Sequence, residues 1–103
     1  MKRLFISQPM DGLTDSDILG TREILHKRAE DIMGEKLILI DSFIEETPSA
    51  FYTHIPVWYL AKSIELLSTA DVILMARGWE NARGCKIECD VAKAYGIYII
   101  QEL

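Results

Sequence analysis

Ala70-Asp71-Val72-Ile73-Leu74-Met75-Ala76 is the most apolar run in the chain. It is too short for a buried helix and reads as a strand buried on both faces. A loop from Arg77 to Arg83, containing Gly78, follows it. A helix then starts near Gly84 and ends at Gly96, a residue suited to a helix C-terminus. Ile97 to Gln101 closes the chain's pattern as another short strand. Working backward from Ala70, Pro56 suits the first turn of a helix that runs to about Ser68. Lys36 to Ile40 is a strand, and Asp41 to about Ile55 is polar and irregular, with Pro48 inside it. Leu4-Phe5-Ile6 is a buried strand ended by Pro9 and Gly12. Between these two strands lies a helix capped by Asp15 or Ser16, running to about Met33 and stopping at Gly34. Ile18, Leu19, Ile24, Leu25, Ala29, Ile32 and Met33 form its apolar side, and Arg22, Glu23, Lys27, Arg28, Glu30 and Asp31 fill the other.

The order is therefore β-α-β-α-β-α-β. Such alternation predicts an α/β fold, a Rossmann-like parallel sheet of about four strands with helices on both faces and right-handed crossovers. Ligands of such sheets bind at the carboxyl ends of the strands. Three loops converge there: Ser7–Asp15, Asp41–Ile55 and Arg77–Gly84. The middle one exceeds the roughly 2–6 residues usual for a βα connection and is a candidate wall or lid.

Length and composition agree with this. The 103 residues are 50% hydrophobic and 26% charged, which suits one domain over residues 1–103 and excludes disorder. A chain of 11.7 kDa buries roughly 65% of its unfolded surface, enough for one core. No apolar run approaches the roughly 20 residues of a membrane-spanning helix, and Met1 to Pro9 turns polar too soon for a signal peptide. Eleven basic against sixteen acidic residues give a net charge of −5. That argues against a nucleic-acid polymer as partner, which needs a basic face, but not against a small anion held by backbone amides. Cys85 and Cys89 read as two buried thiols of a reducing cytoplasm rather than a disulfide or metal site. His26 and His54 have no zinc-like spacing.

Glu88 is the residue singled out for chemistry. It sits in the first turns of the third helix, on the carboxyl side of the third strand. One reading is an ordinary helix glutamate favoured by the N-terminal dipole. The other is a carboxylate nucleophile toward a glycosidic carbon. Asp71, at the amino end of the sheet, reads as structural. The loop Gly78-Trp79-Glu80-Asn81-Ala82-Arg83-Gly84 is neither a P-loop nor a dinucleotide fingerprint. Its glycines let the backbone approach a ligand, and the amides after Gly84 make an anion site at a helix N-terminus. Trp79 either stacks on a flat ligand or plugs the loop. Phe51, Tyr52, Trp58 and Tyr59 are more aromatic surface than one helix face can bury, so some of them meet another subunit or a base.

Two stretches carry a resemblance. Ile6-Ser7-Gln8-Pro9-Met10-Asp11-Gly12 resembles the signature Ile-Ser-Gly-Pro-Met-x-Gly. Ala70-Asp71-Val72-Ile73-Leu74 with Gly78-Trp79-Glu80-Asn81-Ala82-Arg83-Gly84-Cys85-Lys86-Ile87-Glu88 resembles Ala-Asp … Gly-Trp-Glu-x-Ser-x-Gly-Ala-x-x-Glu. Both are signatures of small bacterial and phage proteins of the nucleoside 2-deoxyribosyltransferase-like superfamily. The resemblance implies a Rossmann-like domain that breaks the N-glycosidic bond of deoxynucleosides or their 5′-monophosphates. It makes Glu88 the nucleophile. It places Ser7, Gln8, Pro9, Gly12, Gly78, Trp79, Asn81, Ala82, Arg83, Gly84 and Cys85 around the substrate, with the amides near Gly84 on the 5′-phosphate. It implies no metal and no organic cofactor, and a homodimer or higher homo-oligomer with active sites near subunit interfaces. Some positions depart from the pattern. Gln8 replaces Gly, Ala82 replaces Ser, the place of an assisting Asp falls near Ser63, and the place of a Tyr falls near Phe5. The expected function is thus cleavage or transfer of a (deoxy)nucleoside N-glycosidic bond; the alternatives are a catalytically weak nucleotide-binding module of the same fold, and a small interaction protein that docks through its aromatic surface.

Overall fold

The computed structural model describes residues 1–102; Leu103, the end of the expected domain, lies outside them. The elements run β1 (Arg3–Ser7), α1 (Asp15–Met33), β2 (Ile38–Leu39), α2 (Ile55–Leu67), β3 (Val72–Met75), α3 (Arg83–Tyr95) and β4 (Tyr98–Gln101), with a short 3₁₀ turn over Trp79–Asn81. The four strands form one parallel sheet in the order β2-β1-β3-β4. This is the expected α/β, Rossmann-like architecture. The chain leaves β1 toward β2, then returns across β1 to β3 and β4. With right-handed crossovers, that reversal sends the first helix to one face and the other two to the opposite face.

The two core clusters follow the pleat. Leu4 and Ile6 of β1, Val72 and Leu74 of β3 and Ile100 of β4 pack with Leu25 and Ala29 of α1. The alternate residues Phe5, Ile73 and Met75 pack with Leu67 of α2 and Cys85, Cys89 and Ala92 of α3. Side chains in a strand alternate between faces, and every core residue of β1 and β3 obeys that rule. β3 and β1 are buried through almost their whole length, as central strands of a parallel sheet must be.

Several expectations need correction. The N-cap of α1 is Thr14, neither Asp15 nor Ser16. Its hydroxyl accepts from Asp17 N–H at 3.1 Å, and the Asp17 carboxylate accepts from Thr14 N–H at 3.3 Å. This reciprocal pair satisfies two donors at once, which a lone Asp15 or Ser16 does not. Leu19, Ile24 and Ile32 are exposed, because the buried stripe of α1 runs through Ile18, Arg22, Leu25 and Ala29. Arg22, expected on the polar side, is therefore buried. β2 is shorter than Lys36–Ile40, although Ile40 N–H still donates to Leu4 C=O at 2.9 Å. Asp71 is structural: its carboxylate accepts from Arg3 N–H at 2.8 Å and its amide donates to Arg3 C=O, continuing the β1–β3 ladder.

Loss of the Thr14 cap has a readable cost. Thr14→Ala should destabilise the protein by about 1 kcal/mol, lowering the melting temperature by roughly 4–8 °C for a domain of this size. Differential scanning calorimetry measures it directly, and an unchanged melting temperature would show that the cap contributes nothing.

Candidate functional site

The site grows from two adjacent residues at the end of β1. Ser7 follows Ile6 and so points to the face of α2 and α3. Gln8, one residue on, points to the face of α1. Ser7 Oγ–H donates to Glu88 Oε1 at 2.6 Å, across 81 residues of sequence. Gln8 Oε1 accepts from Arg22 Nε–H at 3.1 Å, and Gln8 Nε2–H donates to Ile18 C=O at 3.3 Å. All four side chains are buried; Glu88 is 7% exposed and Arg22 5%. A carboxyl on α3 and a guanidinium on α1 are thus tied to the same strand end from opposite faces, at the carboxyl edge of the sheet, where the strand order reverses between β1 and β3. That is the crevice in which doubly wound sheets bind their ligands.

The electrostatics are those of partly compensated burial. Desolvation pushes the Glu88 carboxyl above the usual carboxylate range, while the Ser7 hydrogen bond and the Arg22 charge pull it back. Glu88 lies five residues past Arg83, the first residue of α3, and the dipole's influence falls off within the first turn. Among the effects on Glu88, burial is therefore the largest, and the Ser7 and Arg22 contributions oppose it. Burial likewise lowers the pKa of Arg22, with Asp41 and then Glu88 holding its charge in place. One Arg22 nitrogen, Nη1, is sealed from solvent and has no acceptor among the described residues. Burial raises the Cys85 thiol; the Ser7 hydrogen bond opposes that, and the Glu88 charge adds to it. Ser7, Cys85 and Glu88 thus form one contact group.

The remaining expected residues separate into near and far. Gly78 is half-buried at φ +88°, and a Cβ there would lie 3.7 Å from Pro9 Cγ. The β1–α1 and β3–α3 loops therefore approach each other over the crevice. Trp79 and Ala82 pack against the core on the α2/α3 side, so Trp79 plugs its loop, the second of the two readings above. Asn81 and Arg83 are exposed, and Gly84 lies 4.0 Å from Leu60 by the same Cβ measure. The N-cap of α3, Ala82, supplies no side-chain bond. Lys86 N–H to Ala82 C=O begins the helical ladder, which leaves the amides of Arg83, Gly84 and Cys85 outside it. Gly12 occupies an exposed turn at φ +78°, with no neighbour within 4 Å of its Cβ position, so it shapes the loop and does not join the cluster.

Arg22 is the buried residue of the candidate site that a polarity count misses. Its signal was the stripe itself: 18, 22, 25 and 29 fall on one helical face, so an arginine there is buried with three apolar neighbours. A groove of about 340 Å³ borders the site, lined in part by Asp41, Phe43, Glu46, Lys62 and Glu65. It excludes Glu88 but shares Asp41, the carboxylate that acts on Arg22. Among the described residues no group of three or more His, Cys, Asp or Glu is placed to hold a metal ion, and no helix is long and apolar enough to cross a membrane.

Glu88 leaves a measurable mark on stability. A carboxyl whose pKa is higher folded than unfolded binds its proton more tightly in the native state. Its contribution is present at low pH and is lost as pH rises from the ordinary carboxylate value through the raised one. Thermal melts across pH 4–8 should show the wild type losing stability relative to Glu88→Gln as pH rises. A constant difference between the two proteins would mean that Glu88 is solvated.

Among curated proteins none matches the sequence. The fold is similar to the crystal structure of a conserved protein from Enterococcus faecalis V583, at TM-score 0.63 and 17% identity. The similarity covers 98% of this chain but 62% of that one, so this chain spans less than two thirds of the other's length. At this identity the likeness carries the fold alone. Residues 2–101 match a family described as a domain of unknown function, DUF4406, and the chain belongs to that family.

Proposed function

We propose that the protein is a nucleoside 2-deoxyribosyltransferase-like protein that cleaves or transfers the N-glycosidic bond of a (deoxy)nucleoside or its 5′-monophosphate. The observation that carries the reading is the Glu88 carboxyl, buried at the carboxyl edge of the sheet and held by Ser7 at 2.6 Å. Ser7 occupies Oε1, so Oε2 attacks C1′. The C1′–N bond breaks, and the base departs with the bonding pair and takes up a proton. Water or a second base then displaces Glu88 from C1′ and restores the carboxylate. Such retaining chemistry needs an ionised nucleophile. Ser7 and Arg22 favour that form against desolvation. The amides of Arg83, Gly84 and Cys85 suit a 5′-phosphate, and the exposed Arg83 side chain adds charge.

A second reading, a nucleotide-binding module with little or no turnover, is favoured by one observation. The groups that stabilise ionised Glu88 are a hydroxyl and a guanidinium, and neither is an acid that protonates a leaving base. Phe5 lies in the apolar core, and Ser63 carries no carboxyl where the resemblance places one.

The two readings separate in one assay. If Glu88 is the nucleophile, wild-type protein releases free base from nucleosides or nucleoside monophosphates, and Glu88→Gln releases at least about 100-fold less while ligand-induced thermal stabilisation persists. Release should rise with pH as Glu88 loses its proton. Binding without release in either protein selects the module; equal release by both removes Glu88 from the mechanism. In the same melts monophosphates should stabilise more than free nucleosides, with a smaller margin in Arg83→Ala. An equal response to both ligand classes would place Arg83 outside the site.

The assembly is part of the same proposal. Phe51, Tyr52, Trp58 and Tyr59 form a chain of ring contacts with centroids 5.4, 6.2 and 5.0 Å apart. Phe51 is 85% exposed, and Ile55 and Val57 beside it are also exposed. A second copy of the chain covers this surface in a two-fold dimer. Multi-angle light scattering at micromolar concentration should return a dimer mass or higher, and a monomer mass would reject the interface.

A further inference from the structure

The β3–α3 loop lies beside the candidate site, and its place there needs a cause. Up to Ala76 the chain is held by the sheet on both sides. Ala76 N–H donates to Ser7 C=O at 2.8 Å, and Glu102 N–H donates to Met75 C=O at 2.9 Å. Past Ala76 the ladders end. The loop then turns on its own backbone: Trp79 N–H donates to Ala76 C=O, Asn81 N–H to Gly78 C=O and Ala82 N–H to Trp79 C=O, each at 3.1 Å. Local bonds of this kind shape a turn but do not fix where it sits over the strand ends. Gly78 nonetheless comes close to the β1–α1 loop, since a Cβ there would lie 3.7 Å from Pro9 Cγ.

Glu102 supplies an anchor at the point where the ladders end. It follows β4 directly and lies two residues past Ile100, which packs on the α1 face, so its side chain turns to that same face. Oε1 accepts from Arg77 N–H, the first amide of the loop, at 3.0 Å. Oε2 accepts from Arg28 Nη1–H on α1. The Glu102 side chain is only 14% exposed, so water competes little for either oxygen. An exposed ion pair alone contributes little. Here the guanidinium holds a carboxylate whose other oxygen takes a backbone N–H, and such charge-assisted bonds are the stronger kind. β4, α1 and the start of the loop thus share one carboxylate.

We propose that Glu102 is a positioning residue for the candidate site: its carboxylate, steadied by Arg28, straps the β3–α3 loop against the end of β1. The effect is on the place of the loop and is the same whichever ligand the site takes.

Hydrogen exchange of the full chain, followed amide by amide by NMR, tests it. The readout is exchange at Trp79, Asn81 and Ala82 relative to Ile73 and Leu74, which are fully buried in β3 and open only with the core. Glu102→Ala should speed the three loop amides by about 10-fold or more, as loss of a hydrogen bond to a charged group implies, with a smaller change at Ile73 and Leu74. Glu102→Gln keeps a carbonyl oxygen for the Arg77 amide and should restore most of the protection. Arg28→Met, which releases the carboxylate from α1, should speed the same three amides by a smaller factor. Loop exchange that is unchanged in Glu102→Ala, or that rises no more than exchange in the core, would overturn the assignment. So would Glu102→Gln behaving like Glu102→Ala, or Arg28→Met leaving the loop unaffected. If Glu102→Ala does not fold, Arg28→Met decides by the same comparison.

Discussion

The pleat at the end of β1 governs the site. Ser7 and Gln8 are neighbours in sequence, and extended backbone must send them to opposite faces of the sheet. One reaches α3 and holds Glu88; the other reaches α1 and holds Arg22. Because β1 sits between β2 and β3, that point is also where the strand order reverses. The parallel sheet therefore brings polar groups from both helical layers to one strand end at the switch point.

The electrostatic balance follows from that placement. Glu88 and Arg22 lie on opposite faces and influence each other across the sheet edge, without a direct ion pair of salt-bridge length between them. Each is tied by one side-chain hydrogen bond to β1. Burial works against the charge on both groups, and their mutual attraction works for it. Neither effect removes the other. The carboxyl is left with a raised pKa, because desolvation is the largest of the three effects.

The alternation of short apolar runs and helical stretches made the sheet, its parallel sense and its helices legible, because central parallel strands are continuous apolar runs. Glu88 and the loops around it were legible from their position after strands one and three. Arg22 was not, since a residue-by-residue sorting of α1 assigns every charge to solvent. The periodicity held the answer, with Ile18, Leu25 and Ala29 defining a stripe that passes through position 22. The upward direction of the Glu88 pKa was not legible for a different reason. A helix dipole can be read from sequence, whereas desolvation depends on what packs around the carboxyl. α2 shows the converse limit. Its sequence is apolar almost throughout, yet only Leu67 of its residues is fully buried, because much of that helix's apolar surface faces outward from the sheet.

The buried polar cluster is a poor source of stability. Well-packed apolar side chains of similar size are often as stabilising as a buried ionic group, or more so, and this fold has apolar residues close by on both faces. An arginine with an unpaired nitrogen adds a further cost. The core above and below the cluster, from Leu4, Phe5 and Ile6 through Val72 to Met75, is almost wholly sealed from solvent and offsets that cost. Local rules of packing and polar satisfaction agree along β1 and β3 until Ser7 and Gln8, and there they break together. Proteins depart from such consistency mainly where function requires it. The coincidence of the break with the topological switch point is the physical reason to propose the end of β1 as the candidate site.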